Sequence, residues 1–179
     1  SNEDFIAGRK TDIVFGRVMQ YSKVWLNGEF IGENIGGYLP FSFDITSYLK
    51  PGQENKLVVR VDNRARIEWL PASEQNEWIQ YGGILEPVKL VSKSQTYIDE
   101  LAERFGIRQV SVKGTSILLN GKPIIIKGTH RYDAYDRFGP NPPENLLREE
   151  LVLMKSVGIN TIRVHYPQSP DLLSLFDEY

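Results

Sequence analysis

The stretch 117–167 admits few folds. Two short aliphatic runs, Ile117-Leu118-Leu119 and Ile124-Ile125-Ile126, flank Asn120-Gly121-Lys122-Pro123. An Asn-Gly pair between apolar runs closes a tight hairpin, because both residues tolerate the positive φ that a two-residue loop requires. The second run empties into Gly128-Thr129-His130-Arg131-Tyr132-Asp133, where every residue after the glycine can hydrogen-bond. Chemistry is commonly placed where a rigid strand hands over to such a loop. Over 144–158, Leu146, Leu147, Leu151, Met154 and Val157 fall on one helix face and Gly158 reads as the stop. Asn160-Thr161-Ile162-Arg163-Val164-His165-Tyr166-Pro167 then reads as another short strand ending in charged and aromatic groups. Strand, helix, strand predicts parallel pairing through a right-handed crossover.

Ahead of this stretch the pattern is different. Short alternating or apolar runs at 12–15, 23–26, 41–45, 56–61 and 88–91 are separated by Asn27-Gly28, Gly36-Gly37, Pro51-Gly52 and Gly82-Gly83. Strands at this density with turn residues between them predict an all-β sandwich. Trp25, Tyr38, Phe41, Phe43, Tyr48, Trp69, Trp78 and Tyr81 serve first as packing groups, and stacking on sugar rings is their alternative use. Residues 1–10 read as a lead-in, 99–106 as a short helix with a glycine stop, and 108–113 as renewed alternation with Val110 and Val112 on one face. The change of pattern puts a domain boundary near residue 95.

Composition narrows the partners. A chain of 179 residues, 41% hydrophobic, builds one or two domains with a real core. With 21 basic and 23 acidic side chains, net charge −2, nothing recommends nucleic acid or an anionic membrane. The absence of cysteine excludes a disulfide scaffold and a thiolate metal site, and two histidines far apart in sequence argue against zinc. No apolar run approaches the roughly 18 residues of a membrane span, and Ser1-Asn2-Glu3-Asp4 is not a signal peptide. The expectation is no cofactor, no metal, no nucleic acid and no membrane, with a homo-oligomer and the compartment left open.

Three motifs, Val24-Trp25-Leu26-Asn27-Gly28, Gly36-Gly37-Tyr38-Leu39-Pro40-Phe41-Ser42-Phe43-Asp44-Ile45-Thr46 and Leu57-Val58-Val59-Arg60-Val61-Asp62-Asn63, carry a resemblance in order and spacing. They resemble the N-terminal sugar-binding jelly roll of glycoside hydrolase family 2, the β-galactosidases, β-glucuronidases and β-mannosidases. Tyr81-Gly82-Gly83-Ile84 with Pro87-Val88 resembles the close of that domain, although Glu86 stands where the family usually has arginine. Phe105-Gly106-Ile107-Arg108, Leu119-Asn120-Gly121-Lys122-Pro123, Lys127-Gly128 and the stretch 154–167 resemble the entry into its (β/α)8 barrel. The resemblance implies a jelly-roll sandwich over 1–95, a remnant of an immunoglobulin-like linker domain over 96–113, and the first βαβ part of an incomplete TIM barrel over 114–179. Tyr97-Ile98-Asp99 resembles the beginning of the linker domain and Arg104-Phe105-Gly106-Ile107-Arg108 its end. The front of the jelly roll is expected to be missing and Tyr179 to fall within the helix after the second barrel strand. A chain this short would leave 124–126 and the 151–157 helix face partly unburied.

Retaining β-glycosidases need two carboxyl groups about 5 to 5.5 Å apart. The resemblance implies that both are glutamates on later barrel strands, the acid in an Asn-Glu pair. Asn2-Glu3 and Asn76-Glu77 are the only such pairs here and neither follows a barrel-type strand, so the catalytic pair is expected to lie outside these residues, which alone are expected to be inactive. What the resemblance assigns here is substrate binding by His165, Arg131, His130, Asp133 and Glu77. The family often reads Asn-Arg-His-Glu where this chain has His130-Arg131-Tyr132-Asp133, and Arg163-Val164-His165-Tyr166-Pro167 is one residue shorter than the usual strand end. The histidines can equally be hydrogen-bonded structural groups, and Arg131 and Arg163 can be structural partners of carboxylates such as Asp133 or Glu178. Glu77 can equally be a solvated loop charge. The implied function is an exo-acting retaining β-glycosidase releasing a sugar such as galactose or glucuronic acid from a carbohydrate substrate. The alternatives are a non-catalytic carbohydrate-binding module, with Trp25, Trp69 and Trp78 as stacking platforms, and a structural domain that orders an oligomer.

Overall fold

Alternation along the first half of the chain divides each strand into a face for the core and a face for solvent. The computed structural model describes residues 9–69, 79–94 and 106–179. Its strands begin with β1 (Arg9–Phe15), β2 (Val18–Met19), β3 (Tyr21–Leu26), β4 (Glu29–Ile35) and β5 (Phe41–Asp44). A 3₁₀ turn at Thr46–Tyr48 leads to β6 (Leu57–Asp62), β7 (Gly83–Ile84) and β8 (Val88–Ser94). Two antiparallel sheets result, ordered β5-β1-β8 and β4-β3-β6, with β2 and β7 as a short separate pair. Ile13 and Phe15 of β1 and Val24 and Leu26 of β3 are buried in one cluster with Val18 and Ile45, and Phe41, Phe43, Val59 and Val61 pack against it. This is the sandwich that the alternation predicts.

Turn chemistry sets the register. Leu26 pairs with Glu29 across Asn27-Gly28, whose φ values of 55° and 89° are those of a two-residue hairpin loop. The Asn27 side chain donates to the Tyr48 carbonyl at 2.8 Å and accepts from the Lys56 N–H at 3.0 Å, tying the loop to its neighbours. Strand β4 has no counterpart in the sequence reading. It is a polar strand, Glu-Phe-Ile-Gly-Glu-Asn-Ile, at the edge of its sheet and paired among the described residues only to β3, so its composition follows edge protection rather than burial. Its Gly32 has a packing role: a Cβ there would lie 2.3 Å from the Phe43 ring.

The second half carries β9 (Val110–Lys113), β10 (Ser116–Leu119), β11 (Lys122–Ile124), β12 (Gly128–Arg131), α1 (Glu144–Ser156), β13 (Thr161–Val164) and α2 (Pro170–Glu178). Strands β11-β10-β9 form one antiparallel sheet. Leu119 faces Lys122 across Asn120-Gly121, with φ of 50° and 77°, as the Asn-Gly pair predicts. Because β9 pairs with β10 through the turn at Gly114 (φ 61°), residues 110–113 share a sheet with residues beyond the 113/114 division made on sequence.

Strands β12 and β13 are parallel neighbours, joined through α1. The first parallel strand starts at Gly128, past the isoleucine run: Ile125 and Ile126 are 77% and 54% exposed. The reason is Asn160. Its side chain accepts from the Lys127 N–H and donates to the Ile125 carbonyl, both at 2.9 Å. That clamp occupies the backbone of 125–127, and ladder pairing begins at Gly128 opposite Thr161. Helix α1 ends as expected at Gly158, where φ is 82°, with Gly158 N–H donating to Lys155 O and Ile159 N–H to Met154 O. This is a Schellman cap. Leu151 is buried against Leu172 and Leu175 of α2, whereas Val157, beyond the last helical turn, is exposed. Among the described residues no helix is long and apolar enough to cross a membrane.

Replacing Gly32 with alanine is expected to force the Phe43 ring aside and to destabilise the sandwich by about 1–3 kcal/mol, read as a lower urea midpoint at unchanged slope.

Candidate functional site

Strand alternation sorts the residues at the carboxyl ends of β12 and β13 into two sets. Ile162 packs with α1 and α2, and the Arg131 side chain lies 4.0 Å from Glu150 of α1, so these positions face the helices. Their neighbours in register, His130 opposite Arg163, face the other way. Beyond the strand ends the same parity continues with Tyr132 and His165.

On the face away from α1, the His130 and His165 rings meet edge to face with centroids 5.6 Å apart. Tyr132 stacks on His165 at 4.4 Å with 21° between planes. Arg163 Nη1 donates to His165 Nε2 at 2.7 Å. A guanidinium can only donate, so Nε2 is the acceptor and Nδ1 carries the ring proton. The outcome is a wall of two imidazoles and a phenol ring with a cation behind it. His130 is exposed, and Tyr132 and His165 are half-buried.

On the helix face, Arg131 and Asp133 form a buried ion pair. Arg131 also donates to Gln168 Oε1 at 3.3 Å and to the Tyr135 hydroxyl at 2.8 Å, and that hydroxyl donates to Glu150 at 2.6 Å. Burial works against the Arg131 charge, but Asp133 and Tyr135 outweigh it and hold its pKa above the usual arginine value. Asp133 has a second cation: Arg17, from the turn between β1 and β2, donates to Oδ2 at 3.3 Å and to the Pro140 carbonyl at 3.1 Å. The Nε of Arg17 sits 2.6 Å from Glu86 but lacks hydrogen-bond alignment with it, so that contact is an ion pair only. The Asp133 N–H donates to the Tyr166 hydroxyl at 2.7 Å, and the Tyr166 ring stacks on Tyr38 of the sandwich at 4.8 Å. Burial pushes the Tyr135 phenol up to about 12, aided by its bond to Glu150, and burial pushes Tyr166 up to about 12 as well.

Of the five residues singled out on sequence, His130 and His165 thus stand together, Arg131 and Asp133 stand together on the opposite face, and Glu77 lies outside the described residues. Arg163, Tyr132, Arg17 and Tyr166 complete the two groups. Period-two alternation separates the first two from Arg131 and Asp133, and a lone arginine within Val14-Phe15-Gly16-Arg17-Val18-Met19 was the signal for a buried partner. Trp25 is tilted against Phe30 at 5.7 Å, and the Trp69 face is covered by the Arg66 guanidinium at 4.6 Å. A cleft of about 600 Å³ opens between Glu86 and Lys89 of the sandwich and the helix starts at Glu144 and Asp171, but no residue of the histidine wall lines it. Among the described residues no group of histidine and carboxylate side chains is arranged to hold a metal ion.

The family model for the glycosyl hydrolases family 2 sugar binding domain matches residues 2–94, and that for the family's TIM barrel domain matches residues 110–179. The chain belongs to glycosyl hydrolase family 2. Curated relatives agree. A β-galactosidase of Thermoanaerobacter pseudethanolicus is 41% identical over 95 residues, covering 52% of this chain and 13% of the relative. A putative β-glucuronidase of Formosa agariphila is 24% identical over 250 residues, covering 88% and 30%. Among solved structures, a putative β-galactosidase from Bacteroides fragilis superposes with a TM-score of 0.84 at 19% identity, covering 97% of this chain and 42% of that one. The fold is therefore the family's sandwich followed by the start of its TIM barrel. The chain spans less than a third of the length of these curated relatives.

Two outcomes check the buried network. Asp133→Ala leaves two buried guanidinium groups without their carboxylate and is expected to cost about 3–5 kcal/mol in urea unfolding. The phenols of Tyr135 and Tyr166 hold their protons more tightly folded than unfolded, where tyrosine titrates near 10. Their contribution to stability is complete below pH 10 and is lost as pH rises towards 12. Tyrosinate absorbance at 295 nm should show a component with a midpoint near 12 that moves to near 10 in urea.

Proposed function

We propose that this chain is part of an exo-acting retaining β-glycosidase that releases a terminal sugar, galactose or glucuronic acid, from a carbohydrate. One observation carries the reading: His130 and His165 meet at 5.6 Å at the carboxyl ends of adjacent parallel strands, on the face away from α1. That is the end of a barrel where sites are built. The names of the β-galactosidase and β-glucuronidase relatives support the two sugars.

In this reading the histidines hydrogen-bond sugar hydroxyls, Tyr132 offers a flat contact, and Arg163 fixes the His165 tautomer. Arg131 and Asp133, whose polar atoms are already engaged, hold the loop rather than touch sugar. Glu77 remains a candidate contact from the sandwich side. The reaction itself uses two carboxyl groups on further barrel strands: one attacks the anomeric carbon while the other protonates the leaving oxygen, and the second then deprotonates the water that releases the sugar. The sandwich covers 1–95 and the barrel start begins near 110. The connection between them is the remnant of a larger linker domain. An alignment of 250 positions to the Formosa agariphila relative on a chain of 179 residues leaves that relative with inserted residues this chain does not have, as a shortened connection requires.

The test is the intact mass of the protein isolated from its source, with hydrolysis of nitrophenyl β-galactoside and β-glucuronide followed on the same sample. A mass well above 20.5 kDa with turnover is the expected outcome. His165→Ala in that protein is then expected to lower kcat/KM by about 10- to 100-fold, the loss of one strong hydrogen bond in the transition state. A mass of 20.5 kDa with turnover of neither glycoside overturns the reading in favour of a carbohydrate-binding module.

A further inference from the structure

We infer that Arg17 and Tyr38, both from the sandwich, are positioning residues for the Tyr132–His165 ring pair. The ring pair is built from two residues whose immediate successors in the chain are the two that the sandwich grips. Tyr132 is followed by Asp133, whose carboxylate accepts from Arg17 at 3.3 Å. His165 is followed by Tyr166, whose ring lies on Tyr38 at 4.8 Å and 9° between planes. The Asp133 N–H donates to the Tyr166 hydroxyl at 2.7 Å and closes the circuit. Each gripped residue is bonded to one of the ring pair, Asp133 to Tyr132 and Tyr166 to His165, so a grip on 133 and 166 limits the backbone positions open to 132 and 165.

The grip is rigid for physical reasons. Arg17 and Asp133 side chains are each 6% exposed, and Arg17 is held at three points, by Glu86, Asp133 and the Pro140 carbonyl. In such a setting a charge-assisted contact has no water to exchange with. Ring stacking at 4.4 Å tolerates little displacement of either backbone. Through Arg17 and Tyr38 the sandwich therefore acts on the ring pair by way of the backbone of the strand ends. What this means for sugar recognition rests on the function proposed above, while the juxtaposition itself does not.

The experiment uses the 179-residue chain, whose two histidines give a histidine-ring NMR spectrum simple enough to assign with a His130→Gln variant. The His165 ring protons, over the Tyr132 face, are expected upfield of ordinary imidazole positions. Arg17→Met and Tyr38→Ala should each abolish that displacement. Arg17→Lys, which keeps a cation beside Asp133, should restore most of it, and Val59→Ala, which loosens the sandwich core elsewhere, should leave it intact. Unchanged His165 signals in Arg17→Met, or an equal loss in Val59→Ala, overturn the inference. If Arg17→Met does not fold, Tyr38→Ala against Val59→Ala decides. No substrate is present, so a chain that loses the displacement as described but binds neither galactoside nor glucuronide refutes the function and leaves the positioning role standing.

Discussion

The carboxylate of Asp133 is shared by two guanidinium groups, one from each half of the chain, in a site nearly closed to water. Taking three charges out of solvent is costly, and their attraction repays that cost only when geometry and further hydrogen bonds are good. Here Arg131 adds Gln168 and Tyr135, Arg17 adds Glu86 and the Pro140 carbonyl, and the Asp133 N–H adds Tyr166. Such a site contributes little to net stability over an apolar replacement. What it contributes is uniqueness, because few relative placements of sandwich and barrel start satisfy so many directed contacts together.

Strand parity then turns a structural seam into a functional surface. The β12 and β13 ends present one face to the helices and sandwich and the other to the histidine wall, and neighbouring residues alternate between the two duties. Arg131 and Asp133 belong to the seam; His130, Tyr132, Arg163 and His165 belong to the wall. No residue serves both, yet none can shift alone. A slip of one residue in either strand would send an imidazole into the seam, and in β12 it would also bring the Asp133 carboxylate onto the wall.

Much of this was legible in the sequence. The sandwich strands, the Asn120-Gly121 hairpin, the α1 stop at Gly158 and the parallel pair all follow from patterns that depend on near neighbours. The family resemblance was carried by motifs of the same kind. Three features were not legible. Strand β4 has the composition of a protected edge, and a glycine fitted to Phe43 interrupts it. The first parallel strand begins later than the isoleucine run suggests, because Asn160, more than thirty residues away, holds the backbone of 125 and 127. The separation of Arg131 and Asp133 from the histidines required knowing which face met the helices, and hydrogen-bonding capacity alone does not carry that information. Arg17 is the far end of the same difficulty, since its partner lies 116 positions along the chain.

The shared carboxylate also bears on how such a chain can change over generations. A sandwich and a barrel are often regarded as modules that recombination can exchange at the connection between them. Here the true unit of exchange does not end at residue 95. It includes the loop around Asp133 and the Tyr166 position, which must travel with Arg17, Tyr38 and Glu86 or be rebuilt to match. Lineages that trade sandwiches without that loop inherit a seam in which Arg17 and Asp133 have lost each other. The interface between the halves, rather than the point at which they join, sets what can be exchanged.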